Sequence, residues 1–236
     1  MAGTSYEELV SYAAELERQD GQVAEELATL VDVAERAASL RARAAEIRDT
    51  LERLPRELDD VSYRERGARA DLAAAEEELG RAEERVAALS RARRRKQDEL
   101  DRAEREASTA RDLRDDCRAE AERLRDRAET LRASGDGLQT EAETLPRRAR
   151  SIATELVQIR PISDAPTLQP GDTLTELEKW GLLVRSAALV ARGTLEAERE
   201  RIVVEANAIA TGALGEPLAG SSVALVRRRL EELASA

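Results

Sequence analysis

Residues 33–61 read VAERAASLRARAAEIRDTLERLPRELDDV and decide the fold. In alternating steps of four and three residues from Val33, every position reached in this stretch is apolar. The same pattern continues to Ile159 with few interruptions, which are Glu65, Arg93, Lys96, Arg114 and Gly135. A mean step of about 3.5 residues predicts a long coiled-coil seam between helices.

The composition also favours long helices over a globular core. Charged residues make up 37% of the chain, aromatic residues 2%, and phenylalanine is absent. Aromatic side chains normally supply much of the area that a core buries. Large and small residues alternate along the seam, as at Leu40 and Ala44, which lets helix axes approach closely. We therefore predict an all-α fold of long antiparallel coiled-coil helices with a short C-terminal helical module.

Prolines and glycines predict the domain boundaries. Three prolines within 161–172 are typical of an extended linker. This linker separates a coiled-coil rod, residues 1–160, from a C-terminal helical module, residues 173–236. Within the rod, kinks or turns are expected near residues 55, 134–137 and 146.

The phase of the seam distinguishes kinks from turns in the rod. It is the same on both sides of Pro55, which favours a kink there. Ser134–Gly137 contains two glycines and is the preferred position for a hairpin turn. The cluster Arg91–Lys96 is the second candidate, because it divides the seam into nearly equal arms.

The residues needed for common catalytic sites are missing. The chain has no histidine, which removes the usual general base and the commonest transition-metal ligand. Cys117 is the only cysteine, so an intrachain disulfide is impossible. No glycine-rich phosphate-binding loop is present. We predict no catalytic, metal-binding or cofactor-binding residues, and we do not expect an enzyme.

Charge and hydropathy predict the compartment. Arginine supplies nearly all the positive charge, which is typical of a GC-rich bacterial genome, and the net charge is −11. Residues 1–20 lack the basic and apolar regions of a signal peptide. No apolar run is long enough to cross a bilayer. We expect a soluble cytoplasmic protein without a membrane span.

The predicted helix beginning at Leu174 is apolar over most of its circumference. Such a helix is normally buried among several neighbours. Trp180 is interpreted as a core anchor or as a partner-binding residue, since tryptophan is enriched at binding hot spots. The residues predicted to bind a protein partner are Trp180, Leu183, Val184 and Leu189.

A basic cluster interrupts the seam and has three interpretations. It could be a solvated defect that sets register, a hairpin tip, or a contact for nucleic acid or lipid phosphates. The negative net charge and the lack of interleaved aromatic residues make the phosphate contact the least favoured. The cluster consists of Arg91, Arg93, Arg94, Arg95 and Lys96.

Two functions follow as hypotheses. The first is a non-enzymatic coiled-coil scaffold or assembly factor with protein partners and self-association. The second is an accessory subunit of a DNA-handling or ATP-driven machine, because the charged rod resembles the coiled-coil arms of chromosome-maintenance ATPases in composition and period. The chain carries neither of their nucleotide-binding motifs. A salt-dependent shift with duplex DNA, lost when residues 91–96 are neutralised, would support the second hypothesis.

Overall fold

A computed structural model describes residues 6–91, 97–162, 166–167, 173–215 and 222–235. These residues form α-helices and no strand, which confirms the all-α class. None of the described helices combines the length and apolar character that a membrane span requires. The helices are α1 (Tyr6–Arg91), α2 (Gln97–Val157), α3 (Leu174–Leu214) and α4 (Val223–Ala234).

Helix α1 continues through Pro55. An internal proline removes a backbone hydrogen bond and costs about 3 kcal/mol. Leu54 and Leu58, on either side of this proline, pack against one buried apolar cluster. Because α1 is helical on both sides of Pro55, this proline does not reverse the chain.

The hairpin turn predicted at Ser134–Gly137 is wrong, because α2 is helical through these residues and also through Pro146. Two helical glycines cost about 2 kcal/mol relative to alanine. Burial of one leucine side chain contributes roughly 1.5–3 kcal/mol, and Leu131 is buried one turn before Gly135. Gly135 itself lies against Leu54 of α1. Packing along the seam therefore outweighs the local preference for a turn.

The second predicted turn, Arg91–Lys96, lies between the described ends of the two long helices. Helix α1 ends at Arg91 and α2 begins at Gln97. Residues 92–96, which include most of the basic cluster, lie outside the described residues.

Contacts divide the chain into two compact units. The first unit contains Met1–Glu46 and Ala142–Ala236, and the second contains Ile47–Glu141. The first unit therefore groups α3 and α4 with segments of α1 and α2. This grouping differs from the sequential division expected from the prolines.

In the second unit, α1 and α2 share a core of alternating large and small residues. Its members are Val61, Ala68, Ala121, Leu124, Ala128 and Leu131. Glu65, an interruption of the seam, forms an ion pair with Arg69 at 2.6 Å. Cys117, on a seam position, is a half-buried free thiol.

Ion pairs also join α1 to α2 within the second unit. Arg85 pairs with Glu106 at 2.8 Å, and Glu83 pairs with Arg111 at 2.9 Å. Glu76 pairs with Arg118 at 3.3 Å. All of these side chains are about half exposed, so each pair contributes at most about 1 kcal/mol. These ion pairs define the relative position of α1 and α2 more than they add to the free energy of unfolding.

All four helices contribute apolar side chains to the first unit. Arg36 of α1 donates hydrogen bonds to both carboxylate oxygens of Glu155 of α2. Arg227 of α4 pairs with Glu17 of α1 at 2.9 Å. The largest fully buried side chains of this unit include Leu16, Leu30, Leu145, Leu156, Leu177, Leu195, Ile202 and Leu230.

Candidate protein-interaction face

The first turn of α3 is fixed by a capping box. The Thr173 hydroxyl accepts a hydrogen bond from the Glu176 backbone N–H at 3.4 Å, and the Thr173 N–H donates to the Glu176 carboxylate at 2.6 Å. The bond from the Thr173 N–H, and after it a bond from the Thr173 hydroxyl to the same carboxylate, lower the pKa of Glu176. At the other end, Gly215 adopts the left-handed conformation (φ 79°) and donates to the Thr211 carbonyl. The sequence therefore sets both ends of α3.

One face of α3 forms part of the first unit's core. Its buried residues repeat every seven positions, as at Leu177, Val184 and Ala191. A second buried row, Ala188, Leu195 and Ile202, lies beside the first. This inner face has the spacing of a helix that packs along its length against other helices.

Trp180 belongs to this inner face. Its side chain is 2% exposed, and its indole N–H donates a hydrogen bond to the Pro166 carbonyl at 2.8 Å. Val184 is fully buried as well. These two predicted partner-binding residues therefore lie in the core, whereas the other two, Leu183 and Leu189, are exposed.

Gly181 brings α3 very close to α1. A Cβ atom placed on Gly181 would lie 2.8 Å from the Cβ of Arg41. That distance is shorter than van der Waals contact, and a Cβ atom cannot move away without its backbone. Glycine at this position is therefore a requirement of the helix packing.

The opposite face of α3 is apolar and exposed. Val190 is 72% exposed, Leu189 60% and Leu183 57%. Because successive residues of an α-helix are rotated by about 100°, these residues and their neighbours fall within an arc of roughly 120°. We call this surface the outer face, and it consists of Leu182, Leu183, Ser186, Leu189, Val190, Gly193, Ala197 and Val204.

No protein-family model, curated protein or solved structure matches the chain. Its function is therefore inferred from the burial, the contacts and the charges of its own residues.

No charged residue lies within the arc of the outer face between Leu182 and Ala197, whereas the exposed Glu200 and Arg201 fall within it before Val204. From Trp180 to Ala191 the only charged residue is Arg185, which lies at the edge of the face. Lys179 stands at the N-terminal end of the face and Glu200 near its C-terminal end, and both are exposed. From Leu182 to Ala197 the outer face is thus an apolar strip, which Lys179 precedes and Glu200 and Arg201 follow.

A groove of about 290 Å³ runs along one edge of the outer face, between α1 and α3. Val31 of α1 and Leu189 of α3 line it, and both are substantially exposed. Arg185 and Arg192 also line the groove, together with Glu35. The groove therefore extends the exposed apolar surface from α3 onto α1.

Of the basic cluster predicted as a phosphate contact, the structure describes only Arg91. Arg91 is exposed at the end of α1. Arg93, Arg94, Arg95 and Lys96 lie outside the described residues. Among the residues that the structure describes, no group of histidine, cysteine and acidic side chains is placed to hold a metal ion.

The outer face was only partly identified by sequence. The broad apolar surface of α3 suggested burial on all sides, but the structure buries one side. A second seven-residue repeat was the available signal, because Leu183, Val190, Ala197 and Val204 form a row separate from the buried rows. Two such rows on one helix indicate two packing surfaces.

Proposed function

We propose that this protein is a non-enzymatic coiled-coil scaffold that assembles through the outer face of α3. The single observation that carries the proposal is the exposure of a continuous apolar strip on α3, with Val190 at 72%. Contiguous exposed apolar patches on soluble proteins commonly mark protein-interaction sites. From Leu182 to Ala197, before Glu200 and Arg201, the strip is about 22 Å long, enough for several helical turns of contact.

The second unit supports the scaffold role as an antiparallel coiled-coil arm. The ion-pair partners of Glu76, Glu83 and Arg85 on α1 are Arg118, Arg111 and Glu106 on α2. Later residues of one helix thus pair with earlier residues of the other, which is the order expected for antiparallel helices. The α1 segment of this unit, residues 47–91, would extend about 68 Å.

The distribution of chemical groups also supports a non-enzymatic role. The chain lacks histidine, and many described arginines pair with nearby carboxylates on helix surfaces, as Arg81 does with Glu77. These pairs satisfy charge locally instead of converging on a cavity. The groove beside the outer face is mainly apolar, which suits a helix or another apolar surface.

Sedimentation velocity of the full chain over a range of concentrations tests the proposal. We expect the unsubstituted chain to associate and Val190→Glu to remain monomeric with unchanged helix content, because a carboxylate would be buried without a partner. Tyr63→Glu is the matched control, since Tyr63 is equally exposed at 72% but lies in the second unit. A monomeric unsubstituted chain at every concentration would contradict the proposal.

A further inference from the structure

We propose that the outer face binds a second copy of this chain, with the two α3 helices antiparallel and a two-fold axis between Leu189 and Val190. This inference rests on the proposed function and names the partner of the same surface. A two-fold axis at this point places each residue level with one residue of the partner helix. The two residue numbers lie equally far from the axis, one on each side of it. Each contact between two different residues then occurs twice, once on each side of the axis, as a closed symmetric dimer requires.

The charges at the ends of the outer face agree with this register. Lys179 and Glu200 are equally distant from the proposed axis, so Lys179 faces the partner's Glu200 at both ends of the contact. Both side chains are exposed and fall within the same arc of α3 as the outer face. A parallel pair in register would instead place lysine against lysine and glutamate against glutamate, which is unfavourable.

The sizes of the apolar residues agree as well. In the same register Leu182 faces the partner's Ala197, a large residue against a small one. Ser186 faces the partner's Gly193, and these small residues let the backbones approach closely. Leu189 meets the partner's Val190 at the centre. Large and small residues at facing positions can interdigitate without voids.

The neighbouring register fits less well. Sliding one helix by a single turn, about 5.4 Å, places Leu183 opposite the partner's Glu200. Lys179 would then face the partner's Val204. Both charges would face apolar side chains and lose their opposite partners, at a cost in desolvation. Charge therefore favours the register centred between residues 189 and 190 over this slid register.

Disulfide trapping tests the register in the full chain carrying Cys117→Ser. Chains with Ser186→Cys are mixed with differently tagged chains carrying Gly193→Cys and then oxidised. We expect a mixed disulfide between the two chains and little cross-linking of either chain alone, because a disulfide requires Cα atoms within about 7 Å. As a matched pair for the slid register, Ser186→Cys is mixed with Ala197→Cys, and no mixed disulfide is expected.

Charge reversal provides a second test with surface substitutions that leave the first unit's core intact. We expect Lys179→Glu and Glu200→Lys each to weaken dimerisation roughly tenfold, and the double variant to recover most of the loss. Helix content measured by circular dichroism should be the same in all variants.

The outcomes separate the register from the function. Failure of the unsubstituted chain to associate would contradict the proposed function itself. Association with cross-linking of each cysteine chain alone, or with the Ser186/Ala197 pair, would overturn the register and leave the scaffold role. Association without charge rescue would also overturn the register.

Discussion

Gly181 of α3 lies so close to Arg41 of α1 that a Cβ atom on the glycine would be 2.8 Å from the arginine Cβ. Gly181→Ala must therefore push the two helices apart or strain their backbones. We expect it to lower the free energy of unfolding by about 1–3 kcal/mol, the usual cost of overpacking. Urea denaturation followed by circular dichroism measures this change.

Gly137→Ala is the control for that experiment. Gly137 is also helical, but nothing lies within 4 Å of the position that its Cβ would occupy. Alanine should raise the free energy of unfolding there by about 0.5–1 kcal/mol. Equal effects of both substitutions would show that the close approach at Gly181 has no energetic consequence.

Gly135→Ala tests the continuity of α2. A Cβ at this position would lie 3.6 Å from Leu54 Cδ2, an ordinary van der Waals distance. Alanine should therefore stabilise the protein by about 1 kcal/mol through its helix propensity. A left-handed turn at Ser134–Gly137 would give the opposite sign, because alanine is strained at positive φ. Thermal unfolding of the variant distinguishes the two results.

The ion pair of Glu155 predicts a pH dependence in the first unit. Hydrogen bonds from Arg36 lower the pKa of Glu155 below its ordinary value of 4.5. The folded protein therefore binds fewer protons at this site than the unfolded chain near that pH. The resulting stability is fully present above pH 4.5 and is lost as the pH falls through the lower, folded-state pKa.

Comparison of Glu155→Gln with the unsubstituted chain measures this effect. We expect the variant to melt at a lower temperature at pH 7, with the difference shrinking at pH 3. Glu129→Gln is the control, because Glu129 pairs with Arg125 on its own helix, at 3.0 Å. A difference for Glu155→Gln that is equal at both pH values would contradict the prediction.

Trp180 provides an intrinsic probe of the first unit's core. It is the only tryptophan, it is 2% exposed, and its N–H bonds to the Pro166 carbonyl. Its fluorescence should resist acrylamide quenching and should not change when the chain associates, because the outer face lies on the opposite side of α3. Strong quenching that disappears on association would place Trp180 in the interface instead of the core.

The period of the seam predicts much of the fold, because burial repeats at the spacing of a helix that packs along its length. Val33, Ala44 and Leu156 are all buried where the sequence pattern places them. Local propensity gives the wrong prediction at Ser134–Gly137, since the free energy that favours glycine in a turn is smaller than that gained by packing of the surrounding seam. Only the tertiary structure shows this balance.

The candidate site could be predicted only in part for a related reason. The sequence identifies α3 as broadly apolar, and Leu183 and Leu189 are indeed on the exposed side. It does not determine which apolar rows the first unit covers, so it leaves Trp180 as either a core or a partner-binding residue and does not assign Val184 to the core. Knowledge of the neighbouring helices is needed to separate the two faces.

Thiol alkylation at the centre of the outer face tests the central claim most directly. In the Cys117→Ser background, we compare Val190→Cys with Tyr63→Cys, two positions of equal exposure in the single chain. As the protein concentration rises, alkylation at position 190 should slow severalfold because assembly covers it, while position 63 should react at a constant rate. Equal, unchanged rates at both positions would contradict assembly through the outer face of α3.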